Sequence, residues 1–246
     1  MPHNQATASR ELKKMAVPVI VQARMSSRRL PGKVVREVCG RPMICYLIER
    51  LQRCEMLSSI TVATSVDRTD DLVSAFCDDY GLTCVRGELD NVVGRLLAAA
   101  EHIGTSAFVR ISADSPLIDP EIVDEGVRLF DPAEVDIVTN VHPRSFPKGQ
   151  SVEVISVNSL RRVAAESSTS YDLEHVTPYI YGHPEHFRIR NFSRPRDDSA
   201  IQMSVDDESD FVAFVSVLGQ MTRPQWQYSL DDLLALHKDA SPQPAK

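Results

Sequence analysis

Apolar and polar residues recur along the first 140 residues with two different periods, one typical of strands and one typical of helices. Residues 17–21 form an apolar, mostly β-branched run interrupted only by Pro18, as in a strand buried on both faces of a parallel sheet. The pattern predicts further strands at 59–65, 83–85, 107–112 and 135–140, and helices at 43–54, 67–80, 89–103 and 120–130. Such alternation indicates βαβ units, so we expect an α/β fold with a Rossmann-like, mostly parallel sheet flanked by helices.

The second half of the chain is less regular. The pattern predicts strands at 152–156, 187–192 and 201–205, helices at 157–166, 172–182 and 210–218, and a mobile loop at 167–170. Because no linker, repeat or low-complexity stretch divides the chain, we expect one domain at 16–220 with a small inserted arm for dimerisation or for covering a site. Residues 1–15 are expected to be a disordered lead-in, and 221–246 a C-terminal extension that is partly disordered.

Composition narrows the class of protein. The formal net charge of −7 argues against broad nucleic-acid binding, which requires a basic surface. The five cysteines are odd in number and lack C-x-x-C spacing, so neither a zinc site nor a disulfide framework is expected. No apolar run approaches the ~20 residues of a membrane span, and the first residues lack the apolar core of a signal peptide. We therefore expect a soluble, cytoplasmic protein with no membrane partner.

The stretch that follows the first strand concentrates positive charge. It contains four cations, two serines and a glycine, namely Arg24, Arg28, Arg29, Lys33, Ser26, Ser27 and Gly32. Ligands of open α/β sheets lie at the carboxyl ends of strands, and glycine lets the backbone approach an anion closely, so this stretch suits a polyanion. Composition alone leaves a solvated basic loop equally open. Neither the Walker A pattern nor G-x-G-x-x-G is present, so a dinucleotide cofactor is not expected.

Two acidic residues follow other predicted strands. Asp114 comes just after the strand at 107–112, and Asp206 directly ends the strand predicted at 201–205. If the polyanion is a triphosphate, it brings Mg²⁺, which takes one or two carboxylates together with phosphate oxygens and waters, so both residues are candidate metal ligands. The alternatives are that Asp114 caps the turn before Pro116 and that the neighbouring Asp207 only caps the following helix.

The stretch Q-A-R-M-S-S-R-R-L-P-G-K at 22–33 resembles the nucleotide-binding signature of cytidylyltransferases that make CMP-activated acidic sugars. It is most similar to the SpsF-type branch of spore-coat polysaccharide biosynthesis. The similarity continues through S-A-D-S-P and S-V-D, and covers residues 17–215 with further matches at 40–43, 62–65, 86–95, 148–154 and 174–180. The resemblance implies one nucleotidyltransferase domain, magnesium on Asp114 and Asp206, and a homodimer to which the segment around 142–190 contributes.

Under this resemblance the chain is an enzyme that transfers CMP from CTP to an acidic sugar or a related small acid and releases pyrophosphate. The expected catalytic residues are Arg24, Lys33, Asp114 and Asp206. The expected nucleotide-binding residues are Gln22, Ala23, Arg24, Ser27, Arg29, Gly32, Lys33, Ala63, Thr64, Asp90 and Arg95. For the acceptor, a cationic pair would suit a carboxylate or phosphate, and the candidates are Arg110, Lys148, Glu153, Glu174 and His175. A structural role at a helix start is the alternative for Glu174 and His175.

Three departures from the SpsF-type pattern fall in the acceptor half. Leu173 stands where an arginine is usual, Lys148 replaces the arginine of Y-P-R-G, and Ile201 to Met203 replace an arginine-tryptophan pair. The hydroxyl, phosphate or phosphonate group that accepts CMP is therefore left open. A glycosyltransferase that uses a nucleotide-sugar and a non-catalytic CTP-binding partner are the two alternative functions.

Overall fold

The computed structural model describes residues 16–240, with side chains described as far as residue 238. The predicted lead-in at 1–15 and the last six residues of the predicted C-terminal extension lie outside this range.

In the described part of the chain, nine strands form two sheets. The strands are β1 (Val17–Gln22), β2 (Glu37–Val38), β3 (Arg41–Pro42), β4 (Leu57–Ser65), β5 (Thr83–Gly87), β6 (Ala107–Ser112), β7 (Ile137–Thr139), β8 (Glu153–Ser156) and β9 (Ile189–Asn191). Seven of them form the main sheet in the order β5-β4-β1-β6-β8-β7-β9, and β2 and β3 form a small antiparallel pair. Within the main sheet only β8 runs antiparallel to its neighbours. The predicted α/β, mostly parallel fold is confirmed.

Nine α-helices accompany the sheets between residues 16 and 240. They are α1 (Met43–Leu51), α2 (Asp71–Asp79), α3 (Val92–Ile103), α4 (Pro120–Arg128), α5 (Val157–Glu166), α6 (Ser170–His175), α7 (Pro178–Gly182), α8 (Glu208–Gly219) and α9 (Leu230–Ala240), with short 3₁₀ turns at Lys33–Val35, Arg68–Asp70 and Gln225–Gln227. The start of α4 follows from its sequence, because the Asp119 side chain accepts a hydrogen bond from the Glu121 N–H and Pro120 occupies the first helical position. None of these helices is both long enough and apolar enough to cross a membrane.

The main sheet is covered on both faces, because side chains of successive strand residues point to opposite sides. Val19 and Val21 of β1 contribute to a core that includes residues of α1, α2, α4, α8 and α9. Ile20, between them, belongs to a second core formed with α3, α5 and α7. The double burial of β1 explains why its sequence is a continuous apolar run rather than an alternating one.

Three predicted elements differ from the structure. Residues 201–205 are not a strand, because the backbone of Ile201 and Met203 bonds Lys148, whereas Val205 N–H donates to the Asp114 carbonyl in another loop. The helix predicted at 172–182 is interrupted at Val176, whose φ of 73° is not helical. Ser170, predicted to lie in the loop at 167–170, instead begins α6.

Residues 221–240 also belong to the main body of the fold. Leu233 and Leu234 of α9 are buried in the same core as α8, and the buried Arg50 donates to the carbonyls of Gln225 and Tyr228. The boundary predicted after residue 220 therefore does not coincide with a gap in the packing.

Candidate active site

A cleft of about 520 Å³ opens at the carboxyl ends of β1 and β6. It is lined by the loop after β1, the turn after β6, the end of α6 and the turn before α8. The lining residues are Gln22, Arg24, Ser27, Arg28, Arg29, Lys33, Val34, Ser112, Ala113, Asp114, Glu174, His175 and Asp206. Because the carboxyl ends of adjacent parallel strands meet at one edge of a sheet, residues far apart in sequence converge here. The predicted basic loop and both predicted metal ligands thus face one cavity.

The loop after β1 is folded around the backbone of Met25. The Met25 carbonyl accepts hydrogen bonds from the N–H groups of Ser27 and Gly32, both at 2.9 Å. Gly32 has a φ of 74°, a left-handed conformation that favours glycine. The Met25 N–H donates to the carboxylate of Asp70 at 2.6 Å, and Asp70 is fully buried. The cations of the loop are therefore mounted on a constrained backbone.

Lys33 lies between the two candidate metal ligands. Its side chain is 9% exposed, and its Nζ donates to Asp114 Oδ2 at 3.2 Å, to Asp206 Oδ1 at 3.4 Å and to the Val205 carbonyl at 2.5 Å. The ammonium group offsets the repulsion between two carboxylates that lie close together. Lys33 is also a candidate nucleotide-binding residue, and in this structure its ammonium group donates to these three oxygens.

Asp114 and Asp206 fit the way that magnesium is held with a nucleotide. Both carboxylates line the cleft, and their side chains are 24% and 27% exposed. Within residues 16–240 no cluster of three or more His, Cys, Asp or Glu side chains forms a ready-made metal cage. A pair of carboxylates instead matches a Mg²⁺ ion that arrives on a triphosphate and keeps several waters.

The neighbouring Asp207 takes the capping role that was its alternative. Its side chain accepts hydrogen bonds from the N–H groups of Ser209 and Asp210 at the start of α8. Hydrogen bonds lower the pKa of Asp207. The largest effect comes from the Ser209 hydroxyl, and the next from the Asp210 N–H. Asp206 and Asp207 are therefore distinguished by geometry, since Asp206 faces the cleft and Asp207 caps the start of α8.

Sequence reasoning missed Gln202 as a partner of Asp206. Gln202 Nε2 donates to Asp206 Oδ2 at 3.0 Å, on the side opposite Lys33, and Arg29 approaches the same oxygen at 3.2 Å. Gln202 belongs to the segment that departs from the SpsF-type pattern, and only its position four residues before Asp206 hinted at the contact.

At the other side of the cleft, Arg24 is paired with Glu174. Arg24 Nη2 donates to Glu174 Oε1 at 2.9 Å, and this hydrogen bond lowers the pKa of Glu174. His175 also lines the cleft, with its ring 4.3 Å from that of Tyr171. The Glu-His pair thus ends α6 and faces the cavity at the same time.

The remaining acceptor candidates lie apart from this wall. Arg110 and Glu153 form a half-buried ion pair at 2.7 Å, and Arg110 Nε and Nη2 donate to Gln22 Oε1 at 3.2 and 3.1 Å. Lys148 is exposed and does not line the cleft. The structure therefore separates Lys148 from Arg110, although the sequence suggested a cationic pair.

Several predicted nucleotide-binding residues support the cleft without lining it. Ala63 and Thr64 are fully buried in β4, and the Ala63 carbonyl accepts from the Ala23 N–H, which anchors the start of the basic loop. Asp90 is exposed on the loop before α3. Arg95 is 1% exposed, burial lowers its pKa to about 10, and it donates to the carbonyls of Glu88 and Leu89. Arg95 thus holds the loop in which Asp90 lies.

Sequence comparison agrees with this geometry. The family model described as cytidylyltransferase matches residues 18–225. The chain is 29% identical over 226 residues to the spore coat polysaccharide biosynthesis protein SpsF of Bacillus subtilis, a match that covers 88% of this chain and 92% of that protein. It is 34% identical over 115 residues to a 3-deoxy-manno-octulosonate cytidylyltransferase of Geobacter sulfurreducens, covering 46% of this chain and 44% of that protein.

Solved structures show the same relationship. A cytidylyltransferase from Leptospira borgpetersenii superposes with a TM-score of 0.87 at 27% identity, covering 94% of this chain and 99% of that one. CMP:2-keto-3-deoxy-manno-octonic acid synthetase complexed with CTP superposes with a TM-score of 0.63 at 18% identity, covering 83% of this chain and 99% of that one. The second likeness concerns the fold alone.

Proposed function

The chain belongs to the cytidylyltransferase family, and from that premise we propose that it transfers CMP from CTP to an oxygen of an acidic sugar or a related small acid and releases pyrophosphate. The family makes the protein a CTP-dependent nucleotidyltransferase. One observation carries the proposal beyond the family, namely a cleft in which a constrained loop of cations faces two carboxylates bridged by a buried lysine.

The reaction requires an in-line displacement at the α-phosphorus of CTP. The acceptor oxygen forms a new bond to phosphorus, the bond to the β-phosphate oxygen breaks, and the electron pair leaves with pyrophosphate. Catalysis of such a transfer consists mostly of positioning and charge neutralisation. Arg24, Arg28 and Arg29 line the cleft and supply positive charge for the β- and γ-phosphates.

Asp114 and Asp206 are the residues that would hold magnesium. A bound Mg²⁺ ion polarises phosphoryl oxygens and offsets the charge that develops on them. Gln202, Arg29 and Lys33 contact Asp206 and fix the orientation of its carboxylate before any ligand binds. Lys33 additionally offsets the repulsion between the two carboxylates, which both lie within reach of its ammonium group.

The acceptor is proposed to be an anion. Arg28 and His175 line the cleft near Glu174, and a carboxylate or phosphate on the acceptor would be attracted to the positive charge of Arg28. The relatives named for a polysaccharide and for octulosonate support a sugar acid. A homodimer and a cytoplasmic location remain predictions, as does the contribution of residues 142–190 to a subunit interface.

The test is a titration of the four nucleoside triphosphates with Mg²⁺ by calorimetry, followed by pyrophosphate release with a panel of sugar acids. We expect selective CTP binding and pyrophosphate release with at least one acidic acceptor. Binding of an NDP-sugar without pyrophosphate release would indicate a glycosyltransferase instead. CTP binding without turnover on any acidic acceptor, sugar phosphate or phosphonate would indicate a non-catalytic nucleotide-binding protein.

A further inference from the structure

A row of polar residues crosses the main sheet next to the cleft. Ile20, Phe108, Ile155 and Ile137 lie in the second hydrophobic core on one face of β1, β6, β8 and β7. On each of these four strands, the residue two positions closer to the cleft is polar. These residues are Gln22, Arg110, Glu153 and Thr139. Because side chains two residues apart point to the same face of a strand, this row lies on the same side of the sheet. The apolar core is therefore bordered by a connected polar layer.

The polar layer is held together by hydrogen bonds that begin far from the cleft. Tyr181 of α7 donates to Glu153 Oε1 at 2.6 Å, and its hydroxyl lies 2.8 Å from that of Thr139. Burial raises the pKa of Tyr181 most, and the adjacent negative charge of Glu153 raises it further. The phenol therefore keeps its proton. Glu153 Oε2 in turn accepts from Arg110 at 2.7 Å. The guanidinium of Arg110 is thus fixed in position by a buried carboxylate.

The orientation of the Gln22 side-chain amide follows from Arg110. Arginine only donates hydrogen bonds, so the amide atom that faces it must be the oxygen, and Gln22 Oε1 accepts from both Nε and Nη2 of Arg110. The Nε2 group, with two protons, must then point away from Arg110. None of residues 16–240 accepts a hydrogen bond from this Nε2, and Gln22 lines the cleft.

We propose that Gln22 is a specificity-determining residue, whose Nε2 group donates to a carbonyl or carboxylate oxygen of a substrate and whose orientation is set by Arg110, Glu153 and Tyr181. This inference rests on the proposed function. The oxygen belongs either to the base of CTP or to the carboxylate of the acceptor. Arg110 and Glu153 act as positioning residues, since they do not line the cleft and reach it only through Gln22.

Two substitutions test the Nε2 group of Gln22, one that adds a negative charge and one that does not. Gln22→Glu keeps an oxygen toward Arg110 and replaces only the outward donor with an acceptor. Gln22→Met removes the donor without adding charge. Each variant is to be compared with wild type for the Kd of CTP·Mg²⁺ and for the KM of the acceptor, with thermal unfolding as a check on the fold. Gln52→Glu, on the exposed end of α1, is the matched control for one added negative charge.

For both Gln22 variants we expect either the Kd of CTP·Mg²⁺ or the KM of the acceptor to rise about 10- to 100-fold. This range is typical of a hydrogen-bonding group left without its partner or of an acceptor placed against an acceptor. A change in the Kd of CTP assigns the oxygen to the nucleotide, and a change confined to the KM of the acceptor assigns it to the acceptor. The loss for Gln22→Glu should persist at about 1 M salt, where the Debye length falls to ~3 Å and a general charge effect is screened.

The inference is overturned if wild type binds CTP and turns over while both Gln22 variants match it in both constants. It is also overturned if only Gln22→Glu is impaired and salt restores it, because the effect would then be charge alone. Failure of the proposed function is a different result, since it shows in the wild-type protein.

Discussion

The buried carboxylate of Asp70 accepts a hydrogen bond from the Met25 N–H, 45 residues earlier in the chain, at 2.6 Å. The other Asp70 oxygen accepts from both the N–H and the hydroxyl of Ser65 at the end of β4. Met25 in turn holds the two ends of the basic loop through its carbonyl. Asp70 therefore connects the end of β4 to the backbone on which the cations of the cleft are mounted.

Asp70→Asn is expected to destabilise the protein and to weaken CTP binding. The substitution replaces an accepting oxygen with an NH₂ group at a position surrounded by donors. A buried unpaired group of this kind costs about 1–3 kcal/mol. The free energy of unfolding should fall by that amount in denaturant titrations, and the Kd of CTP should rise roughly tenfold as the loop loses its anchor.

Asp67→Asn is the control for this substitution. Asp67 is exposed three residues earlier and accepts from Thr69 in the same turn, so its replacement should leave CTP binding unchanged. If Asp70→Asn lowered the unfolding free energy but left the Kd of CTP unchanged well below the melting temperature, the position of the loop would not depend on this contact.

Lys33→Ala is expected to weaken CTP binding and to slow turnover by about 10²-fold or more, the cost of removing one charge-stabilising group from an active site. Without the ammonium, the repulsion between the Asp114 and Asp206 carboxylates is no longer offset, which disturbs the two side chains proposed to hold magnesium. Isothermal titration and pyrophosphate release measure the two effects. Arg36→Ala removes an exposed cation paired with Glu208 and serves as the control. Unchanged CTP affinity in Lys33→Ala would mean that the basic loop does not serve the nucleotide.

The sequence predicts the sheet better than it predicts the site. The strand β1 is recognisable because burial on both faces requires a continuous apolar run. Residues 201–205 alternate between apolar and polar residues as many strands do, but a strand also needs a neighbouring strand, and here the backbone bonds two different loops. The pattern of a short segment does not contain that information.

The cleft shows the same limit. Arg24, Lys33 and Asp114 follow strands, and Asp206 follows a segment that the sequence predicts as a strand. All four are recognisable by charge and position, and they do line the cavity. Gln202 and Asp70 were missed because their roles depend on burial and on partners distant in sequence or structure, which a polar residue type alone does not reveal. The pair of Gln22 and Arg110, 88 residues apart, is visible only when β1 and β6 are placed side by side.

Asp114→Asn and Asp206→Asn are expected to abolish magnesium-dependent turnover while leaving the fold intact. Each side chain is about one quarter exposed, so the amide can be solvated, but it does not replace a carboxylate as a ligand for Mg²⁺. Pyrophosphate release across a magnesium titration tests the role, and thermal unfolding tests the fold. Asp207→Asn, which changes the cap of α8 and a long 3.9 Å ion pair with the exposed Arg29, should keep most of the activity. Full magnesium-dependent activity in either of the first two variants would remove that residue from the metal site.

Glu174 should report the binding of CTP through its own titration. In the free protein the hydrogen bond from Arg24 lowers the pKa of Glu174 below its ordinary value of 4.5. The stabilisation from this pair is therefore present above the ordinary pKa and is lost as the pH falls through the lowered value. If the triphosphate recruits Arg24, Glu174 loses its partner and gains nearby negative charge, and both changes raise its pKa.

The carboxyl carbon of Glu174, followed by NMR from pH 6 down to about pH 3, around the ordinary range of a glutamate, should show a low midpoint in the free protein and a higher one with saturating CTP. Arg24→Met should show a higher midpoint than free wild type even without CTP, because the hydrogen bond that contributes most to lowering the pKa is gone. The same midpoint in free and CTP-saturated wild-type protein would show that Arg24 stays with Glu174, and that Arg28, Arg29 and Lys33 supply the charge for the phosphates instead.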